Sequence, residues 1–418
     1  MKKIRVGGFV AALAAAVSVQ AATWQVSMDV PDAQGLTGVA SLSNALERAS
    51  SGDTIVIGPG TYDLSEMPPI DCGSYALCSI VAFSVNNGVL SADQSAVHLR
   101  GQNTKPWFEK TPEEETVLLG TGAATIFYGH ANGGRQSSAA HLTFENGKWA
   151  KSGSRTQYGG GAISFAVTQQ CDLKNMRGAA SNCVFRSCSS DTYGGGTYCC
   201  DVTDSLYTNC TATTGGGGAY GDTKNNNDPN VNHTNVFVRC VFKDCSAPNG
   251  GGLYGAKTES LRDCSFERCL SANGSGGGLY SATPMSEISG CSFDDCQAAD
   301  GGGVRVDGSL GLLTNCTFVS CGHRSGNGGA VNTRNGAKDD KLGRVVDCSF
   351  TGCVAGFGGG ALFADHMGDV IRCAFTNNVA QSSGGAVYSG GEIGRVEDST
   401  FVSNVARSAA KGGAICAN

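Results

Sequence analysis

The sequence predicts an all-β chain: a single-stranded, right-handed parallel β-helix solenoid with a short N-terminal capping helix. Three observations carry this. A strand of the form Cys-x-Phe-x-x-Cys recurs along the chain. A Gly-Gly-Gly or Gly-Gly-Ala turn follows each copy. The period, roughly 22 to 35 residues, is that of a solenoid whose units stack because none can bury a core alone.

The elements follow in chain order. Residues 1–21 read as a secretion signal. Lys2, Lys3 and Arg5 supply the charged start, Phe9 to Val19 the apolar run, and Val19-Gln20-Ala21 a small-x-small cleavage site. A membrane anchor is the weaker reading, because the apolar run is shorter than the ~20 residues a helical span needs. No later segment is long and apolar enough to cross a bilayer as a helix. Residues 22–60 read as an N-terminal cap. Leu42, Ala45, Leu46 and Ala49 share one helical face, Gly52-Asp53 ends that helix, and Thr54-Ile55-Val56-Ile57 is the first strand. Such a helix covers an apolar cross-section that would otherwise offer open strand edges.

Residues 61–418 read as the β-helix. Less regular coils come first, with strands near Val97-His98-Leu99, Thr116 to Leu119 and His141 to Phe144. The regular strands are Cys183 to Cys188, Cys240 to Cys245, Cys264 to Cys269, Cys291 to Cys296, Cys316 to Cys321 and Cys348 to Cys353. Ser205 to Cys210 places Tyr207 at the aromatic position, and Cys373 to Asn378 and Ser399 to Asn404 end in Asn. Alternation along a strand sends Cys264 and Phe266 inward and Ser265 outward. One column of Phe266, Phe293, Phe318, Phe350 and Phe375 should therefore run through the interior. The aliphatic residue after each glycine turn gives a second strand, and segments such as Glu287-Ile288 and Arg344-Val345-Val346 a third. The glycines serve positive φ or close backbone approach. They are not a phosphate loop, since each leads into a strand rather than a helix. Asn225 to Asn230 and Asn335 to Leu342 are polar insertions, the places where solenoids put recognition.

Twenty cysteines in an exported chain suggest disulfides, but most stack by register. Two readings stay open: buried ladders of small apolar residues, or bridges between some pairs. Cys72 with Cys78, outside the repeat, is the first bridge expected. The Cys-x4-Cys spacing without histidine does not suit zinc, and no metal or cofactor is expected. With net charge −6 and no basic run, nucleic acid and polybasic membrane contact are not expected either.

Gly160-Gly161-Ala162-Ile163 and Gly412-Gly413-Ala414-Ile415, with Phe375-Thr376-Asn377-Asn378 and Phe401-Val402-Ser403-Asn404, resemble the repeats of chlamydial-type polymorphic outer membrane proteins. The resemblance covers residues 140 to 418. It implies the pectin-lyase-like fold and a secreted or surface-exposed adhesin. This chain departs from the family pattern in writing Cys where most of those motifs have Asn, and no autotransporter barrel follows. The fold named by the resemblance also includes polysaccharide lyases and hydrolases. Their polygalacturonase-type elements are matched only by the doublets Asp294-Asp295 and Asp339-Asp340 and by Gly129-His130-Ala131, in the wrong order. The doublet Asp294-Asp295 falls where Lys243-Asp244 and Glu267-Arg268 stand in other copies, a solvated corner. His323-Arg324 and Asp365-His366 lie in corners too. No catalytic residue is assigned.

The residue after each inward aliphatic faces out: Tyr198, Tyr220, Tyr254 and Tyr280, then Arg305, Asn332, Phe363 and Tyr388. This predicts an exposed aromatic stripe, either stacking on itself or contacting a glycan or a surface protein. The expectation is a secreted or cell-surface, outer-membrane-associated structural or adhesive module. The alternative is a carbohydrate-active lyase or hydrolase of the same fold. At the C-terminal end the sequence stops inside a repeat, so a truncated longer chain is expected first, then self-association through an open edge, then a frayed end.

Overall fold

The computed structural model describes residues 21–50, 52–67, 70–71, 77–81, 85–86, 89–90, 97–130, 137–150, 159–166, 178–221, 235–255, 258, 260–323, 325–333, 341–408 and 412–417. Residues 1–20 of the segment read as a signal, the Asn225 to Asn230 insertion, Asp339-Asp340 and Cys72 lie outside these residues.

Three parallel sheets of 14, 13 and 12 strands run the length of a right-handed β-helix. One coil shows the plan. Ser260–Arg262 lies in the first sheet, Ser265–Glu267 in the third, and Leu279–Ser281 in the second. The next coil repeats it in register, with Leu261 beside Ile288, Phe266 beside Phe293 and Leu279 beside Val304. Among the described residues the only antiparallel pairs lie in the early coils, Ile70–Asp71 with Leu77–Val81 and Val85–Asn86 with Val89–Leu90.

The cap helix spans Gly38–Arg48 and buries Val39, Leu42 and Ala45 against the first coil. One element was missed in the sequence. Strand Thr23–Val26 precedes the helix and pairs with Thr54–Ile57, so the latter is not the first strand. Asp53 ties the cap together. Its carboxylate accepts from the Ala22 and Ser50 backbone N–H groups and from the Trp24 indole, at 2.7–3.0 Å. Burial opposes ionisation here, yet these three donors hold the carboxyl below the ordinary 3.8.

The phenylalanines form the expected column. Phe242, Phe266, Phe293, Phe318, Phe350 and Phe375 stack with centroids 4.7–5.1 Å apart and planes within 8°. Tyr207 joins this dry column because its hydroxyl meets Thr197 Oγ1 at 2.8 Å; a buried phenol without a partner would be costly.

Both cysteine positions are buried. Most of these thiols have two carbonyls in reach, that of the residue two back, as Arg262 O at 3.3 Å from Cys264 and Ser289 O at 3.2 Å from Cys291, and one of the preceding coil; Cys183 and Cys245 reach only the former. Cys264 reaches Phe237 O at 3.6 Å, Cys291 reaches Leu261 O at 3.8 Å, and Cys296 reaches Phe266 O at 3.5 Å. The exceptions explain the rule. Asn378 and Asn404, in the second column, donate Nδ2 to Phe350 O and Phe375 O at 3.0 and 2.9 Å. Asn378 Oδ1 also accepts from the Cys353 N–H at 2.9 Å. Ser205 and Ser399, in the first column, accept from the N–H of Cys183 and Cys373 at 3.0 Å. Cysteine is thus a small side chain that fits a dry corner and still satisfies one carbonyl. The column cysteines are unbridged thiols. In-register side chains stay about one 4.8 Å coil spacing apart, whereas a disulfide draws its Cβ atoms to ~3.8 Å.

Two corners per coil place a residue in the left-handed region, which favours Asn, Asp and Gly. Asp295 is one of these, at φ 48°, and its neighbour Asp294 is exposed; the doublet is a solvated corner, as read from the sequence. Charged corner neighbours cross-brace the coils: Arg268 grips Asp244 through two bonds of 2.7 and 2.9 Å, and Arg372 grips Asp347 likewise at 2.7 Å. At the glycine corner the first residue takes positive φ. Gly216, Gly276 and Gly359 are examples, at φ 67°, 66° and 63°. The middle glycine is required by space. A Cβ on Gly277 would sit 2.4 Å from Gly302 O and 2.6 Å from the Gln297 backbone.

Candidate functional site

The second sheet shows one outward residue per coil, because Leu253, Leu279 and Val304 point inward and the chain turns directly afterwards. Register carries Tyr198, Tyr220, Tyr254, Tyr280, Arg305, Asn332, Phe363 and Tyr388 into a single file. The first four rings stand 5.2, 4.9 and 4.8 Å apart. Phe363 and Tyr388 form a second stack at 4.8 Å.

The file is where the sequence placed it, but it is not the open stripe expected. Tyr198, Tyr254, Tyr280, Arg305 and Tyr388 are half-buried, and Tyr220 is only 6% exposed. Asn332 and Phe363 are buried too. The cause is mutual cover: each ring lies against the next, and Tyr193 packs on Tyr220 at 4.4 Å and on Tyr254 at 5.8 Å. The rings therefore show less of their faces than an open stripe would.

The tyrosine run ends in a polar clasp. The Tyr280 hydroxyl donates to Asp307 Oδ2 at 2.6 Å, and Arg305 Nε donates to Asp307 Oδ1 at 2.9 Å. Burial, and then the Asp307 carboxylate, push the Tyr280 phenol well above its ordinary range. A phenol so held does not ionise near neutral pH, and Arg305 is already paired. The clasp fixes geometry and offers neither a free base nor a free cation. Beyond it, Asn332 Nδ2 donates to Asp300 Oδ1 at 3.2 Å. Sequence reasoning missed Tyr193 and Asp307. Asp307 was findable, since it lies two residues after Arg305 and alternation puts it on the same face. Tyr193 lies in a turn, where no periodicity announces its direction.

Other sequence candidates do not converge on this file. His323 is exposed and bonds Ser325, and His366 pairs in a short strand with Lys341. Among the described residues no group of three His, Cys, Asp or Glu side chains is arranged to hold a metal ion. Cys78 is buried in Leu77–Val81; its expected bridge to Cys72 lies outside the described residues.

No family model and no curated protein sequence matches the chain. Among solved structures it is similar to a PL6 family alginate lyase, AlyGC, at 11% identity and a TM-score of 0.32. A point mutant of that enzyme matches at 13% identity and 0.35. Both matches cover 91% of this chain and 50% of the lyase, so the chain spans half the length of these structures.

Proposed function

We propose that this chain is a secreted or cell-surface β-helix module that binds an extended glycan along its tyrosine file without cleaving it. The observation that supports the reading is the file itself: four phenols, one per coil, uncharged, at a constant 4.8–5.2 Å step along a stiff rod. An extended sugar chain presents hydroxyls at a similar regular step, and the half-buried Tyr198 and Tyr254 would exchange hydrogen bonds with it along the axis. The rings lose little on binding because their neighbours already hold them. The ionisable groups at the end of the file are spent on one another, which suits holding better than acid–base chemistry.

Replacing Tyr198 and Tyr254 together by Phe tests this, since it keeps the stacking and removes two hydroxyls. Retention on a panel of immobilised neutral glycans should fall while far-UV circular dichroism stays unchanged. Unchanged retention would return the tyrosines to a purely structural role. Release of unsaturated or reducing ends from any of those glycans by the wild-type protein would overturn the non-catalytic reading in favour of a lyase or hydrolase. Self-association belongs to the same proposal, and concentration-dependent light scattering reads it directly.

A further inference from the structure

We infer that the N-terminal cap carries a separate small-ligand site, a groove of about 440 Å³ that fits one carboxylated sugar. The volume lies in the range of small-molecule pockets. The groove runs between the edge strand Thr23–Val26, the outer face of the cap helix and the segment that joins them.

Its walls are fixed by bonds that leave little to rearrange. The joining segment is held by Asp32, whose carboxylate accepts from the N–H groups of Gln34 and Leu36 at 2.9 Å and from Ser41 Oγ and Asn44 Nδ2 at 3.1 Å. Those four donors hold the carboxyl below its ordinary range. They also occupy its oxygens, so the one anion in the groove is already satisfied. The Trp24 indole is oriented by its 3.0 Å bond to Asp53. Arg48 stands over that ring, its guanidinium carbon 5.4 Å from the centroid. The Arg48 side chain is exposed and makes no ion pair among the described residues, whereas Arg186, Arg239, Arg262, Arg268, Arg372 and Arg395 all do.

The groove therefore offers one guanidinium outside any ion pair, the apolar surfaces of Trp24, Val30 and Pro31, and the amides of Gln25 and Gln34; Asn44 Nδ2 is already shared between Asp32 Oδ2 at 3.1 Å and Gln34 Oε1 at 2.9 Å. A guanidinium takes a carboxylate through two parallel bonds. The aromatic and apolar wall takes the C–H face of a pyranose, and the amides serve as donor and acceptor to hydroxyls. Only a ligand combining a carboxylate, an apolar ring face and several hydroxyls uses all three, and a hexuronate does so. This site stands independently of the tyrosine file.

The test is a titration of the whole protein with D-glucuronate, followed by tryptophan fluorescence and by saturation-transfer NMR, with D-glucose and benzoate as controls. Saturable binding of glucuronate is expected, at least tenfold tighter than glucose or benzoate. Arg48→Gln, an exposed change, should weaken it at least tenfold, Arg48→Lys less, and Tyr254→Phe not at all. Equal binding of glucose would overturn the role of Arg48, and stronger binding of benzoate would overturn the sugar. No saturation at tens of millimolar glucuronate would overturn the site. So would an Arg48→Gln protein that binds normally and only melts earlier, which would leave Arg48 as a helix C-terminal cation.

Discussion

Phe293→Ala tests the interior column most directly. The ring is 1% exposed and lies between Phe266 at 4.8 Å and Phe318 at 4.7 Å, with planes within 2° on both sides. The edge of the ring also abuts Gly278, which has no side chain with which to refill the space. Truncating a buried Phe to Ala costs ~3–5 kcal/mol when the site cannot collapse. Loss of two aromatic contacts, each worth ~0.5–1.5 kcal/mol beyond area, places this site at the upper end, about 5 kcal/mol. In a solenoid the loss is felt first by the coil and its neighbours, so the assay is hydrogen exchange by coil together with guanidinium unfolding. Amides of Ser265–Glu267, Ser292–Asp294 and Thr317–Val319 should lose protection first. Ser292→Ala, one residue away, removes only the 2.9 Å hydroxyl bond to Ser265 and is the control, expected to cost about 0.5–1.5 kcal/mol. A Phe293→Ala cost below about 1 kcal/mol, or a loss spread evenly over all coils, would refute the column as the source of cohesion.

Further outcomes follow from the same structure. Asn378→Ala strands the Phe350 carbonyl and the Cys353 N–H and should destabilise by about 1–3 kcal/mol per orphaned group, whereas Asn378→Cys, which restores the carbonyl bond, should cost less; equal costs in guanidinium unfolding would refute the equivalence of the two residues. Burial pushes the thiols of Cys188, Cys210, Cys245 and Cys296 well up, and that of Cys183 up to about 11; the folded protein should leave them unmodified by iodoacetamide at pH 8. After denaturation without reductant they should all react, and a mass spectrum showing bridged pairs among them would contradict the thiol columns. Asp53 is depressed in the folded state, so its contribution is complete above the ordinary value of 3.8 and is lost as pH falls through the lower folded pKa. The cap should therefore loosen as pH falls through that range, as read by Trp24 fluorescence, and Asp53→Asn should reduce that change while lowering stability at pH 7.

The winding of the chain was legible because its signals are periodic. Cys-x-Phe fixed the third sheet and its inward face, and the aliphatic residue after each glycine fixed the second. What was not legible was how the outward residues cover one another. Alternation gives Tyr220 a direction but says nothing of Tyr193 folding back upon it. Strand Thr23–Val26 escaped because four residues beside an apolar N-terminal run carry too little alternation to stand out. The Trp24–Arg48 groove escaped because its residues are 24 positions apart and meet only through the fold. The thiol-to-carbonyl bonds were half visible: the exchange of Cys for Asn pointed to a bonding position, but not to which carbonyl was served.

The constancy of register has a consequence for how such a chain changes length. Every coil enters and leaves at the same three sheets, and Phe266 meets Phe293 as Phe293 meets Phe318. Removing one whole coil, residues 264–290, would join Asp263 directly to Cys291. Both flank the same kind of corner, so Phe242 would meet Phe293 in place of Phe266. The cut ends match because the removed part is one period of a pattern, much as a link can be taken from a chain whose links are alike. Lineages carrying this architecture can thus lengthen or shorten the rod by unequal exchange between repeats while the lattice of contacts survives. Deletions of half a coil would instead bring Phe opposite Leu or Gly, and are the ones expected to be purged.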